Sequence, residues 1–165
     1  MPIEGTDGYA EYNFATDPDA AQIVFKSGIK NITLVGLNVT RSVLYNKDVE
    51  ARLKACGGRC AVKAAEILST VGEDDLQDYG ALRQTPDDPV RAMHDVLAMA
   101  YCDRPEMFTS EILPIDIVAG EPPEVSGQTL ISRGREPHHP AVRVVTSVNK
   151  DDFLNRMIEN IARLP

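Results

Sequence analysis

The sequence predicts an α/β fold built as one domain over residues 1–165, and two observations carry that prediction. A capped, proline-started helix ending at Gly28 runs directly into an apolar stretch, Asn31 to Val39, that reads as a strand covered on both faces. Later, three strand-like runs are followed by a helix with one apolar stripe. A globule of 165 residues buries about 70% of its unfolded surface, so a sizeable core is within reach.

Taken in order, Asp17 and Pro18 supply an N-cap and a first-turn proline, and Ala20, Ala21, Val24 and Phe25 recur at helical spacing. Asn46 caps a helix through Val49 and Leu53 that stops at Gly57-Gly58, and Val62 to Val71 forms a second helical piece closed by Gly72. Glu73 to Asp88 is acidic, weakly periodic and interrupted by Gly80 and Pro86, which predicts a long surface loop or lid anchored by Tyr79. Pro89 opens a helix carrying Val90, Met93, Leu97 and Tyr101 at helical spacing, with His94 and Asp95 in its first half. Ile112 to Val118, Thr129 to Ser132 and Val142 to Val148 read as strands, separated by turns around Glu121-Pro122-Pro123 and Pro137 to Pro140. Their short connections favour antiparallel pairing. Asn149, with Asp152 three residues on, begins a last helix whose stripe is Phe153, Leu154, Met157, Ile158, Ile161 and Leu164.

Composition narrows the function. A net charge of −8 and a pI near 4.8 give no basic footprint for nucleic acid or for an anionic membrane. No apolar run approaches the ~20 residues that span a bilayer, and the N-terminus lacks a signal-peptide succession, so the cytosol is the expected location. Three cysteines, Cys56, Cys60 and Cys102, cannot complete a disulfide framework and read as reduced thiols. The Asn31 and Asn38 sequons fall in a predicted buried strand, and His138-His139 lies in a proline-bounded turn that faces solvent; neither is taken as a site.

Two constellations carry chemistry. Glu11 and Asn13, two apart in an expected extended stretch, would project to one side and grip a pair of hydroxyls, a carboxylate to accept and an amide to donate. The bland alternative is a solvated glutamate beside a turn-forming asparagine. His94 and Asp95 offer an imidazole for leaving-group assistance and a carboxylate for a hard cation. Helical neighbours stand about 100° apart, so the two are not a hydrogen-bonded dyad. Their alternative is a packing histidine beside an acid that complements the helix dipole.

As a set these residues resemble a family. Ala10-Glu11-Tyr12-Asn13, Asp17-Pro18-Asp19-Ala20-Ala21, Ile23-Val24-Phe25, Val35-Gly36-Leu37-Asn38-Val39-Thr40 and His94-Asp95 before Leu97-Ala98 are similar in order and spacing to the C-terminal half of the inosine/uridine-preferring nucleoside hydrolases. The resemblance implies an open mixed sheet with flanking helices, and cleavage of the N-glycosidic bond of ribonucleosides with a calcium ion. By position, Glu11 and Asn13 would contact the ribose hydroxyls, Asp95 would ligate calcium, and His94 would assist departure of the base. Such roles suit an oxocarbenium-like transition state, with water on one face and leaving-group help on the other.

The sequence also departs from the family. Calcium takes roughly six to eight oxygen ligands, and the family's Asp-Thr-Asp-x-x-x-Asp-Asp cluster has no counterpart before Glu11. Gly5 stands where an Asn reaches toward the ribose, Val96 where Pro is usual, and Asn38 where Asp is common. Two functions therefore follow from the sequence. One is a nucleoside hydrolase whose catalysis needs a complementing N-terminal half; the other is a non-catalytic ribose-binding module that self-associates through an exposed strand edge.

Overall fold

The computed structural model describes residues 10–70, 82–120, 125–131 and 141–165. In chain order the elements are α1 (Tyr12–Thr16), α2 (Pro18–Lys26), β1 (Thr33–Leu34), α3 (Leu37–Thr40), β2 (Leu44–Tyr45), α4 (Lys47–Ala55), α5 (Arg59–Leu68), β3 (Arg91–Ala92), α6 (His94–Asp103), β4 (Phe108–Leu113), β5 (Ile115–Ile117), β6 (Thr129–Ile131), β7 (Val142–Val148) and α7 (Lys150–Ala162). Parallel and antiparallel pairings both occur, and helices flank the sheets, which is the α/β class the sequence predicts. The chain divides into two compact units, Met1–Val39 with Phe108–Ser147 and Thr40–Met107 with Val148–Pro165.

In the first unit the capping chemistry works as expected. The Asp17 carboxylate accepts from the Ala20 amide at 2.9 Å, Pro18 takes the first helical position, and Gly28 at φ 82° lets the chain leave α2. Helix α2 buries Phe25, which joins Ile115, Ile117, Val142 and Val144 in the core. Phe14 of α1 packs edge-on against Phe25, with ring centroids 5.9 Å apart at 89°. Strands β1 and β7 pair in parallel, Thr33 opposite Arg143 and Leu34 opposite Val144, with β4 on the other side of β7. Strands β5 and β6 form a separate antiparallel ladder, Ile115 opposite Ile131.

The second unit is mostly helical. Asn46 caps α4 by accepting from the Val49 amide at 3.1 Å, and Asn149 caps α7 by accepting from Asp152 at 3.3 Å. Helices α4, α5 and α7 pack on one another around Val49, Leu53, Ala61, Ala65, Phe153, Met157 and Ile158. The two fully buried alanines present little side chain, which lets neighbouring backbone approach. Tyr45 is 0% exposed and its hydroxyl donates to the Ala65 carbonyl at 3.1 Å. Burial, aided by the nearby Glu50 charge, pushes this phenol far above its ordinary range.

Several boundaries differ from the sequence reading. The stretch Asn31 to Val39 is not one strand: only Thr33–Leu34 joins a ladder, and Leu37–Thr40 turns helical after Gly36. Helix α5 starts at Arg59 rather than Val62, directly after Gly58. Pro89 does not open a helix. Arg91–Ala92 instead pairs antiparallel with Leu44–Tyr45, and the helix begins at His94. The run predicted from Ile112 to Val118 begins at Phe108 and breaks at Pro114, which has no amide to give a ladder, so β4 and β5 enter different sheets. Antiparallel pairing holds for β5 with β6, whereas β7 pairs in parallel with β1. Gly5, Gly72, the segment Glu73 to Ala81 with Tyr79, Glu121-Pro122-Pro123, Ser132 and Pro137 to Pro140 with both histidines lie outside the described residues.

The end of the predicted lid is built around a buried acid. Asp88 is 2% exposed, and its carboxylate accepts from the Lys47 amide at 2.9 Å and the Gln84 amide at 3.2 Å. Its carbonyl accepts from Arg83 Nε at 2.7 Å. This part of the segment is therefore tied to the start of α4 through the Lys47 amide and folded on itself through Gln84 and Arg83, which an apolar count does not register.

Candidate functional site

Glu11 and Asn13 do not share an extended stretch. Glu11 is the extended residue before α1, at φ −68° and ψ 142°, and Asn13 is already the second residue of that helical turn. Residues two apart at a helix start do not face each other, and the two side chains differ accordingly: Glu11 is 6% exposed, whereas Asn13 is exposed. The hydroxyl grip expected from period-two spacing is thus not set by local geometry.

Glu11 is held by the chain that follows β1. Its Oε2 accepts from the Leu37 amide at 3.3 Å. A Cβ placed on Gly36 would lie 3.0 Å from that same Oε2 and 2.9 Å from Asn38 Oδ1, so the missing side chain at 36 is the space the two oxygens occupy. Asn38 is fixed from the other end, where its Nδ2 donates to the Val145 carbonyl at 3.1 Å. A buried carboxylate and an amide oxygen thus gather at Gly36, an acceptor-rich corner suited to hydroxyl donors.

His94 and Asp95 are the first two residues of α6, with Met93 at the cap. The helix start is tied down by the Met93 amide, which donates to the Val43 carbonyl at 3.2 Å. The half-buried His94 ring meets Thr40: Nδ1 and Oγ1 are 2.7 Å apart, and Thr40 is 3% exposed. Asp95 is exposed in the first turn, where its charge complements the helix dipole. Glu11 and Asn13 belong to the first unit, and His94 and Asp95 to the second.

Among the described residues, no three His, Cys, Asp or Glu side chains cluster as a metal ion would require. The exposed Asp95 alone supplies a fraction of the roughly six to eight oxygens calcium takes, so these residues do not by themselves fit a calcium site. Cys56, Cys60 and Cys102 are free thiols. No helix among the described residues is long and apolar enough to cross a membrane.

Sequence reasoning gave no role to Gly36, Asn38 or Thr40. All three lie in the Val35 to Thr40 block that carries the resemblance, but their partners Glu11, Val145 and His94 are remote in sequence and no periodicity points to them.

Comparison with known proteins finds relatives that match along most of the chain. The chain is 29% identical over 156 residues to an inosine-uridine preferring nucleoside hydrolase of Leishmania major, covering 94% of this chain and 46% of that protein. It is 28% identical over 159 residues to a pyrimidine-specific ribonucleoside hydrolase of Enterobacter sp. (strain 638), covering 93% and 47%. A purine-preferring ribonucleoside hydrolase from Gardnerella vaginalis superposes with a TM-score of 0.72 at 24% identity, covering 94% of this chain and 46% of that one, and shares the fold. The chain therefore spans about half the length of the curated relatives it matches. The family model of the inosine-uridine preferring nucleoside hydrolases matches residues 4–155, across both units, and the chain belongs to that family.

Proposed function

We propose that this chain takes part in hydrolysis of the N-glycosidic bond of ribonucleosides, giving ribose and the free base, as half of a catalytic unit completed by a second polypeptide segment. The observation that carries the reading is Glu11, a buried carboxylate kept at Gly36 inside a family match that also takes in His94 and Asp95. A buried acid is costly unless it has partners, and a carboxylate held in this way is a chemically suitable acceptor for sugar hydroxyls. Residues 1–165 act as one domain in this reading, since the family match runs through both units.

Glu11 accepts from a ribose hydroxyl and Asn13 adds an amide contact. His94 hydrogen-bonds the departing base as negative charge develops on it. Asp95 is this chain's contribution to calcium binding, the other ligands coming from the complementing segment. Water supplies the hydroxyl that adds to the anomeric carbon and the proton that the released base takes up. The substrate is a free nucleoside in the cytosol. Base preference is left open, because the relatives are named for inosine and uridine, for pyrimidines and for purines.

Ribose release from inosine and uridine tests the proposal, with calcium present and with or without the N-terminal half of a relative added as a separate polypeptide. The expected result is turnover only in the mixture, abolished by Glu11→Ala and by Asp95→Ala. Full turnover by the chain alone would overturn the half-site reading. No release in any mixture would overturn the hydrolase reading.

A further inference from the structure

We propose that Thr40 is a positioning residue for His94, its hydroxyl donating to Nδ1 and thereby holding the neutral imidazole as the Nε2–H tautomer. The catalytic meaning of this contact rests on the function proposed above; the tautomer does not. Thr40 Oγ1 and His94 Nδ1 are 2.7 Å apart, a normal length for a hydrogen bond, and Thr40 is 3% exposed. A buried hydroxyl has one proton to place, and among the described residues the ring nitrogen is the acceptor that Thr40 reaches. Were Nδ1 protonated, Thr40 would accept instead and its own proton would be stranded away from water.

The backbone competes poorly for that proton. A threonine in a helical turn often bonds back to the carbonyl four residues earlier, which here belongs to Gly36. That carbonyl already accepts from the Val39 amide at 3.0 Å, and α3 is a single turn that ends at Thr40. Val39 and Val43 on either side of Thr40 are each 1% exposed, so the short segment between β1 and β2 is anchored by apolar burial and Thr40 cannot swing out without uncovering it. The Met93 amide bonded to the Val43 carbonyl fixes the start of α6 to the same segment. His94 is thus held twice, through its backbone neighbour and through its ring.

With Nδ1 occupied as an acceptor, the N–H of the ring is at Nε2. In nucleoside cleavage that N–H donates a hydrogen bond to the base as the C–N bond breaks, and keeps its proton; the proton that ends on the base comes from the attacking water. Thr40 touches neither sugar nor base in this scheme and acts only through the imidazole.

The test compares Thr40→Val, which keeps the shape but removes the donor, with Thr40→Ser, which keeps the hydroxyl. Ring 15N correlations of histidine-labelled full chain at about pH 8.5, where an ordinary imidazole is neutral, read the tautomer, and His94→Gln identifies the resonances. The expected pattern is Nε2–H in the wild type and Thr40→Ser, with the Nδ1 resonance of Thr40→Val displaced as it loses its donor. An Nδ1–H tautomer in the wild type, a cationic ring at this pH, or a spectrum unmoved by Thr40→Val would overturn the assignment. The wild-type spectrum decides even if the valine variant fails to fold. In the complemented enzyme, Thr40→Val is expected to lower kcat about tenfold with KM nearly unchanged, a partial loss of the roughly 10²–10⁴-fold that leaving-group assistance contributes, and Thr40→Ser to restore most of it. Normal kcat in Thr40→Val would overturn the positioning role. Absence of turnover in every variant, wild type included, would count against the hydrolase reading while the ring spectra still judge the tautomer.

Discussion

Replacing Gly36 with alanine separates a requirement for space at the Glu11 carboxylate from a requirement for backbone freedom. Gly36 is not in the left-handed region, so alanine meets no conformational penalty, and the nearest carbon to the new methyl, Leu34 Cγ at 3.9 Å, is at ordinary contact distance. The close neighbours are Asn38 Oδ1 at 2.9 Å and Glu11 Oε2 at 3.0 Å, both at the ends of side chains that can rotate away. The cost is then the hydrogen bond from the Leu37 amide to Glu11, which at 3.3 Å belongs at the weak end of the roughly 1.5–3 kcal/mol assigned to bonds with charged groups. Restricting the unfolded chain returns about 0.4–1 kcal/mol. The net destabilisation is about 1 kcal/mol, or about 2–4 °C in Tm for a chain of this size. Urea unfolding gives the free energy, and the Leu37 amide resonance in a 1H–15N spectrum reports the bond itself. Gly36→Ala and Glu11→Gln should both displace that resonance, and the cost of Gly36→Ala should shrink in a Glu11→Ala background, as coupled neighbours require. A loss above about 3 kcal/mol, or an unmoved Leu37 amide, would refute the account.

Gly127 makes the opposite case. Its φ is +84°, and a Cβ there would sit 2.7 Å from the backbone of Phe14 and Ala15, so Gly127→Ala should cost about 2–5 kcal/mol in a thermal melt and loosen α1. Asp88→Ala should cost about 1–3 kcal/mol by stranding the Lys47 and Gln84 amides, and hydrogen exchange at those two amides should rise with it; unchanged exchange would show that other acceptors replace the carboxylate. The Lys47 ammonium, with help from the Thr85 hydroxyl, lowers the exposed Asp87 carboxyl to about 2. A depressed carboxyl adds stability that is present above its unfolded value near 3.8 and is lost as pH falls toward about 2. A carbon-detected titration should place the Asp87 midpoint near 2, and Lys47→Met should bring it back toward 3.8.

What could be read from the sequence is what local chemistry decides. Asp17, Asn46 and Asn149 cap helices with their own side chains a few residues away, and the last helix shows its buried stripe in Phe153, Met157 and Ile158. The failures share a cause. Asn31 to Val39 has the apolar content of a long strand, but whether an apolar residue joins a ladder depends on a partner; β7 meets only Thr33–Leu34 before Gly36 and the α3 turn divert the chain. Pro89 looked like a helix start because proline fits the first turn, while the pairing of Arg91 with Tyr45 lay too far along the sequence to be seen. The candidate site residues Glu11, Asn13, His94 and Asp95 were singled out through their resemblance in order and spacing. The residues that hold two of them, Gly36 and Thr40, act across space and left no pattern.

The pairing of Thr33 with Arg143 joins residues roughly 110 positions apart, and it bears on how the chain is made as well as on how it rests. Each compact unit is assembled from an early and a late stretch of chain, so neither can close until its late stretch, Phe108–Ser147 or Val148–Pro165, has been made. At ~5–20 residues per second, β1 and Phe25 wait for several seconds before β7 emerges to cover them. During that interval the apolar residues around β1 are open to chaperones, proteases and other nascent chains. Expression yield should therefore depend on the rate of translation across residues 40–141 and on chaperone supply, even for variants whose finished fold is equally stable.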